Sequence, residues 1–79
     1  MIAIDAELDT SGLNCPLPIL KAKKALAVLR GGQILRVIAT DPDSVKDFET
    51  FSQQVGHTLL EAREENRRFH FLLRKAVLT

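Results

Sequence analysis

The chain has 79 residues, with 11 Lys and Arg against 10 Asp and Glu, a hydrophobic fraction of 46% and a single cysteine, Cys15. This length leaves no room for a separate cofactor domain, and the composition is too apolar and too near neutral for a disordered chain. One cysteine excludes an internal disulfide, a metal site built on cysteine pairs and dithiol redox chemistry. We therefore expect one domain spanning residues 1–79, without cofactor or metal. The start of the chain has no basic region followed by a long apolar run, so the sequence predicts a cytoplasmic protein with no membrane segment.

The first third of the chain predicts a strand and then a helix. Apolar and acidic residues alternate from Ile4 to Asp9, which indicates a strand with one face on the core. After a turn at residues 10–12, a helix is expected to begin at Pro16 and to end at the glycine pair Gly31 and Gly32. Its predicted buried stripe consists of Ile19, Ala22, Leu26 and Leu29.

The middle of the chain repeats this order. Residues 33–40 are rich in β-branched side chains and predict a central strand. A second helix is expected to start with Asp41 as its N-cap and Pro42 in its first turn, and to close at Gly56. Its predicted buried stripe is Val45, Phe48 and Val55, with Phe51 and Ser52 in the intermediate turn.

Two further strands, Thr58–Arg63 and Arg68–Arg74, are expected around a polar turn at residues 64–67. The predicted order is β-α-β-α-β-β. Right-handed crossovers place both helices on one face only if the second step runs in the same direction across the sheet as the first, and the closing hairpin makes the sheet mixed. The fold class is therefore α/β (α+β), a two-layer sandwich in which a four-stranded sheet has one covered face and one wet face.

The segment from Gly12 to Pro18 has the clearest chemical content. If Pro16 is the first helical residue, Cys15 is the N-cap, and the helix dipole would favour its thiolate. Pro16 and Pro18 would present the thiol rigidly, and they leave the N–H groups of Leu17 and Ile19 as local donors. The sequence thus predicts an exposed thiol that ionises readily, although a small buried hydrophobe is the common alternative for a lone cysteine.

The chemistry open to Cys15 depends on its partners. A protease-type nucleophile needs a base, and His57 and His70 are the only histidines in the sequence. Histidines in such places are more often surface residues, so a group carrier is the favoured interpretation. Lysines 21, 23 and 24 follow in the next two turns and form either a solvated face or a contact for an anion or partner.

Gly12-x-x-Cys15-Pro16-x-Pro18, set in this order of elements, resembles the TusA/SirA-like sulfur-carrier family. The resemblance implies a sheet order of 1-2-4-3, similar to the C-terminal domain of translation initiation factor 3. It implies that Cys15 accepts sulfur as a persulfide from a cysteine desulfurase and relays it to an acceptor protein, for example in tRNA 2-thiouridine synthesis. Other members are linked to molybdenum-cofactor synthesis, sulfur oxidation or selenium metabolism. Such a protein is a sulfurtransferase of the relay type rather than a free-standing enzyme.

The same resemblance assigns the candidate site. Cys15 is the catalytic residue, Gly12, Pro16 and Pro18 support it, and Lys21 and Lys24 contact an anion or a partner. Leu17 departs from the acidic residue that often separates the two prolines, which leaves the identity of the partner open. We expect a monomer when the protein is isolated, and no direct nucleic-acid binding. Two alternatives remain: an RNA-binding module based on the C-terminal arginines, and a regulatory interaction protein in which the thiol is incidental.

Overall fold

The computed structural model describes residues 3–77, which form two helices and one four-stranded sheet. The elements are β1 (Ala6–Thr10), α1 (Leu17–Ala27), β2 (Ile34–Ala39), α2 (Ser44–Val55), β3 (Thr58–Glu65) and β4 (Arg68–Arg74). The sheet order is β1-β2-β4-β3; β1 pairs with β2 in parallel and the other pairs are antiparallel. The predicted α+β architecture is thereby confirmed.

Both helices pack on the same face of the sheet. Residues on β2 and β4 alternate between the two faces, and those facing the helices are buried while their neighbours are partly exposed. The buried hydrophobic residues from helices and strands form one cluster: Ala22, Leu26, Leu35, Val37, Ala39, Phe48, Phe51, Phe71 and Leu73. This cluster fixes where α1 and α2 lie, and so it positions the loops at their N-termini.

The face of the sheet away from the helices carries charged side chains. On it, the Arg36 Nη2 atom lies 3.4 Å from His70 Nδ1, and Arg63 pairs with Glu61 and Glu65. Phe71 is fully buried on the helix side, and Phe69 packs against the same core. Neither ring is free for base stacking on the open face, which is the usual sequence-independent contact with single-stranded nucleic acid.

Several predicted boundaries differ from the structure. Helix α1 ends at Ala27 rather than at Gly31: Val28 is its C-cap, and the Leu29 N–H donates to the Leu26 carbonyl at 3.1 Å in a tighter turn. Further on, the Gly32 N–H donates to the Lys75 carbonyl at 2.9 Å, and the Lys75 N–H donates to the Gln33 carbonyl at 2.9 Å. Strand β1 begins at Ala6, so Ile4 lies before it and is 41% exposed.

Helix α2 departs from its prediction at its start and in one residue of its buried stripe. It begins at Ser44 with Asp43 as the N-cap, because the Asp41 carboxylate accepts the Asp43 N–H in a turn that precedes the helix. Val55, predicted to be buried, is 51% exposed and borders a surface groove beside His57. Gly56 closes the helix in the left-handed conformation, as predicted.

The β3–β4 turn is shorter than the four residues predicted. β3 extends to Glu65, and Asn66 and Arg67 form the connection, both with positive φ (52° and 63°). This is the backbone conformation that a two-residue hairpin of type I′ requires. Of the helices described, neither α1 nor α2 has the length and apolar character needed to cross a membrane.

Candidate functional site

Parallel pairing brings together two loops that are distant in sequence. Thr10, the last residue of β1, lies opposite Ala39, the last residue of β2. The chain therefore leaves both strands at the same edge of the sheet. One loop carries Cys15 to α1, and the other carries Asp41 to α2.

Three side-chain interactions attach the cysteine loop to the second loop and to β2. The Gly12 N–H donates to Thr40 Oγ1 at 2.8 Å, the Cys15 N–H donates to Asp41 Oδ2 at 2.7 Å, and the Thr10 hydroxyl donates to the Ile38 carbonyl at 2.6 Å. Asp41 is only 8% exposed, and its second oxygen accepts the Asp43 N–H at 3.0 Å. Gly12 has φ +82°, which L side chains rarely adopt, so its glycine is required by the turn.

Cys15 is not the N-cap of α1. Pro16 occupies that position and Leu17 is the first helical residue, because a turn closed by Leu17 N–H donating to the Asn14 carbonyl at 2.8 Å comes first. The Leu17 N–H is therefore not free to bind sulfur, although the sequence predicted it to be a local donor. The Cys15–Pro16 peptide bond is cis, and Pro18 is buried in the first turn of the helix.

The Cys15 thiol is free and exposed, and its pKa is raised above the ordinary value. The largest cause is the interaction of the thiol with the nearby Asp47 carboxylate, followed by partial desolvation and then by the negative charges of Asp47, Asp41 and Asp43. The prediction of a readily ionised thiol was wrong, because these carboxylates outweigh the dipole of a helix that Cys15 does not cap.

An open groove of about 270 Å³ runs between α1 and α2 beside the thiol. Its polar residues include Lys23 from α1 and Lys46 and Asp47 from α2, and Phe51 forms part of its apolar wall. The Lys23 ammonium lies 5.9 Å from the centroid of the Phe51 ring. The groove therefore presents Cys15 with groups of both charges.

Lys21 and Lys24 lie elsewhere on α1. They line a separate surface with Leu17 and Leu20, whose side chains are 45% and 47% exposed. This surface is apolar with a basic border, and the contact role of the two lysines stays a prediction. The Lys46, Asp41 and Asp47 side chains near the thiol were missed as site residues by sequence reasoning.

Neither histidine lines the cysteine groove. His57 accepts the Ala76 N–H through Nδ1 at 2.9 Å and lies against the Phe51 ring, at a centroid distance of 5.6 Å. His70 lies on the open face of the sheet beside Arg36. A Cys–His pair of the protease type is therefore not formed.

The fold and this edge of the sheet define a small two-layer α+β protein that presents one exposed cysteine on a braced loop. The chain belongs to the sulfurtransferase TusA family, whose sequence model matches residues 6–75.

Among relatives, it is 59% identical over 76 residues to the sulfur carrier protein TusA of Allochromatium vinosum, covering 96% of this chain and 100% of that one. It is 42% identical over 71 residues to the sulfur carrier protein TusA of Pseudomonas entomophila, covering 90% and 89% of the two chains. The crystal structure of a SirA-like protein from Desulfitobacterium hafniense has the same fold, with a TM-score of 0.78, 23% identity and coverage of 90% and 97%.

Proposed function

We propose that this protein carries sulfur as a persulfide on Cys15, which it receives from a cysteine desulfurase and delivers to an acceptor protein. Thiolation of tRNA to 2-thiouridine is an example of a pathway that such a relay supplies. Family membership supports sulfur carriage in general, and the relatives described above are sulfur carriers by name.

The single observation that carries the proposal is the exposed thiol on a loop that is braced but not enclosed. Cys15 lies outside the core, and Gly12, Cys15 and Leu17 N–H groups are bonded to fixed acceptors. Two large proteins can therefore reach the same sulfur in turn, and neither needs to insert a long side chain. The basic and apolar surface around Leu17, Leu20, Lys21 and Lys24 supports docking of a partner with an acidic rim.

The transfer requires no external oxidant or reductant. In loading, the Cys15 sulfur loses its proton and attacks the outer sulfur of the donor's cysteine persulfide, while the donor's S–S bond breaks and its cysteine leaves as a thiolate. In delivery, a thiolate of the acceptor attacks the outer sulfur on Cys15. The Cys15 sulfur then leaves with the bonding electron pair and is reprotonated.

The test is to incubate the protein with a cysteine desulfurase and cysteine, and then to measure its intact mass under non-reducing conditions. The wild type is expected to gain the mass of sulfur, and the matched variant Cys15→Ser is expected to gain none. A wild-type mass that stays unchanged with several desulfurases would refute the proposal. In a deletion strain, full rescue by Cys15→Ser would instead favour a regulatory protein whose thiol is incidental.

A further inference from the structure

Two carboxylates approach Cys15 from different elements. Asp41, in the loop between β2 and α2, is only 8% exposed and accepts the Cys15 N–H at 2.7 Å. Asp47, in the first turn of α2, lines the same groove as Cys15, and its carboxylate raises the pKa of the Cys15 thiol. One carboxylate thus holds the cysteine backbone, and the other places a negative charge in the groove beside the cysteine side chain.

These charges matter most when a bound sulfur atom leaves. At that moment Cys15 becomes a thiolate, and a leaving thiol departs faster when its pKa is low. Lys23 and Lys46 line the groove and favour the thiolate, whereas Asp41, Asp43 and Asp47 oppose it. The balance lies with the carboxylates, since the pKa of the Cys15 thiol is raised.

We propose that Asp41 and Asp47 act as positioning residues that make Cys15 retain its sulfur: Asp41 fixes the cysteine loop, and both negative charges slow the loss of sulfur to small thiols. The inference rests on the proposed function, because it concerns the persulfide on Cys15. The reaction that is slowed is attack by a small thiolate on the outer sulfur. A new S–S bond forms, the bond between the two persulfide sulfurs breaks, and its electron pair remains on the Cys15 sulfur.

The lifetime of the persulfide tests this directly. The protein is loaded with inorganic polysulfide rather than a desulfurase, freed of excess reagent, exposed to reduced glutathione, and followed by intact mass. Asp47→Asn and Asp41→Asn are expected to lose the sulfur at least about twofold faster than the wild type, because removing either charge lowers the pKa of the leaving Cys15 thiol and a thiol of lower pKa leaves faster. Glu49→Gln is the matched control, because Glu49 is exposed on the same helix and does not line the groove. Its persulfide is expected to last as long as that of the wild type.

A second measurement separates charge from loop support. Thr40→Val removes the acceptor of the Gly12 N–H and loosens the same loop without a change of charge. The rate of alkylation by iodoacetamide against pH is expected to shift to lower pH in Asp41→Asn and Asp47→Asn, but not in Thr40→Val. If Asp41→Asn does not fold, Asp47→Asn still decides the question, since its side chain is only partly buried.

Equal persulfide lifetimes in wild type, Asp47→Asn and Glu49→Gln would overturn the inference, as would an unshifted alkylation profile. The outcome is distinguishable from failure of the proposed function. If a desulfurase loads the protein but the persulfide lasts equally long in the wild type and the variants, only the inference about the carboxylates fails. If no desulfurase loads the protein but the lifetimes differ after polysulfide loading, the proposed donor is wrong and the role of the carboxylates stands.

Discussion

The aromatic core beneath α2 allows a quantitative prediction for Phe48→Ala. Phe48 is fully buried, its ring stacks on Phe71 at a centroid distance of 4.7 Å, and it meets Phe51 edge-on at 6.5 Å. Truncating a buried Phe to Ala costs ~3–5 kcal/mol, of which each aromatic pair accounts for ~0.5–1.5 kcal/mol. A domain of this size rarely has more than ~3–5 kcal/mol of stability against unfolding. We therefore expect Phe48→Ala to be largely unfolded at room temperature.

Urea unfolding followed by far-ultraviolet circular dichroism measures the effect, since the chain has no Trp or Tyr to serve as a fluorescent probe. Phe48→Leu retains most of the buried volume and is expected to lose about 1–2 kcal/mol. Val55→Ala, at a side chain that is 51% exposed, is the control and should stay within ~0.5 kcal/mol of the wild type. A Phe48→Ala protein with the urea midpoint of the wild type would refute the assignment of Phe48 to the centre of the core.

Three further predictions use the same unfolding assay. Gly12→Ala should cost about 1–2 kcal/mol, because φ is +82° although the space for a methyl group is open; an unchanged midpoint would mean that the turn adapts. Arg67→Gly should add ~0.5–1 kcal/mol by relieving a positive φ of 63° in the hairpin turn, and a loss of stability would contradict this. Burial, with the Lys75 charge, lowers the pKa of His57 from its ordinary 6.5. Around and below the ordinary pKa of 6.5, the unfolded chain binds more protons at this histidine than the folded chain does. The free energy of unfolding should therefore drop as the pH falls from about 7 to about 5. In His57→Gln the free energy of unfolding should change less steeply with pH, and what remains is the contribution of the carboxylates. An identical dependence on pH in the variant and the wild type would exclude His57 as its source.

The sequence predicted the elements better than it predicted their ends. Alternation along β4 and the glycine at position 56 are local signals, and both the strand and the helix end were correct. The segment after α1 instead makes contacts with Lys75, which bonds to the Leu29 carbonyl and to the backbone of residues 32 and 33, and no local pattern could reveal contacts from so far along the chain.

In the candidate site, too, the features set by local sequence were predicted and those set by contacts between distant residues were not. The motif around Cys15 predicted an exposed thiol, but the predicted direction of its pKa change was wrong because the carboxylates of Asp47 and Asp41 were not expected beside it. Parallel pairing of β1 and β2 carried enough information to correct this, since it places the loops after both strands at one edge. The hydrogen bond from Cys15 to Asp41 is a tertiary contact across 26 positions, and it follows from topology rather than from spacing in the sequence.

The strand directions also determine how this protein can be attached to a surface or to a reporter. Asp5 pairs with Ile34 and Lys75 with Gln33, at the opposite end of the strands from Thr10 and Ala39, where the cysteine loop begins. A linker that joins the described chain at residue 3 or residue 77 therefore starts at the far end of the sheet from the thiol. Immobilisation through either end should leave Cys15 facing the solution, so capture of donor and acceptor proteins can use tags at both ends as independent controls.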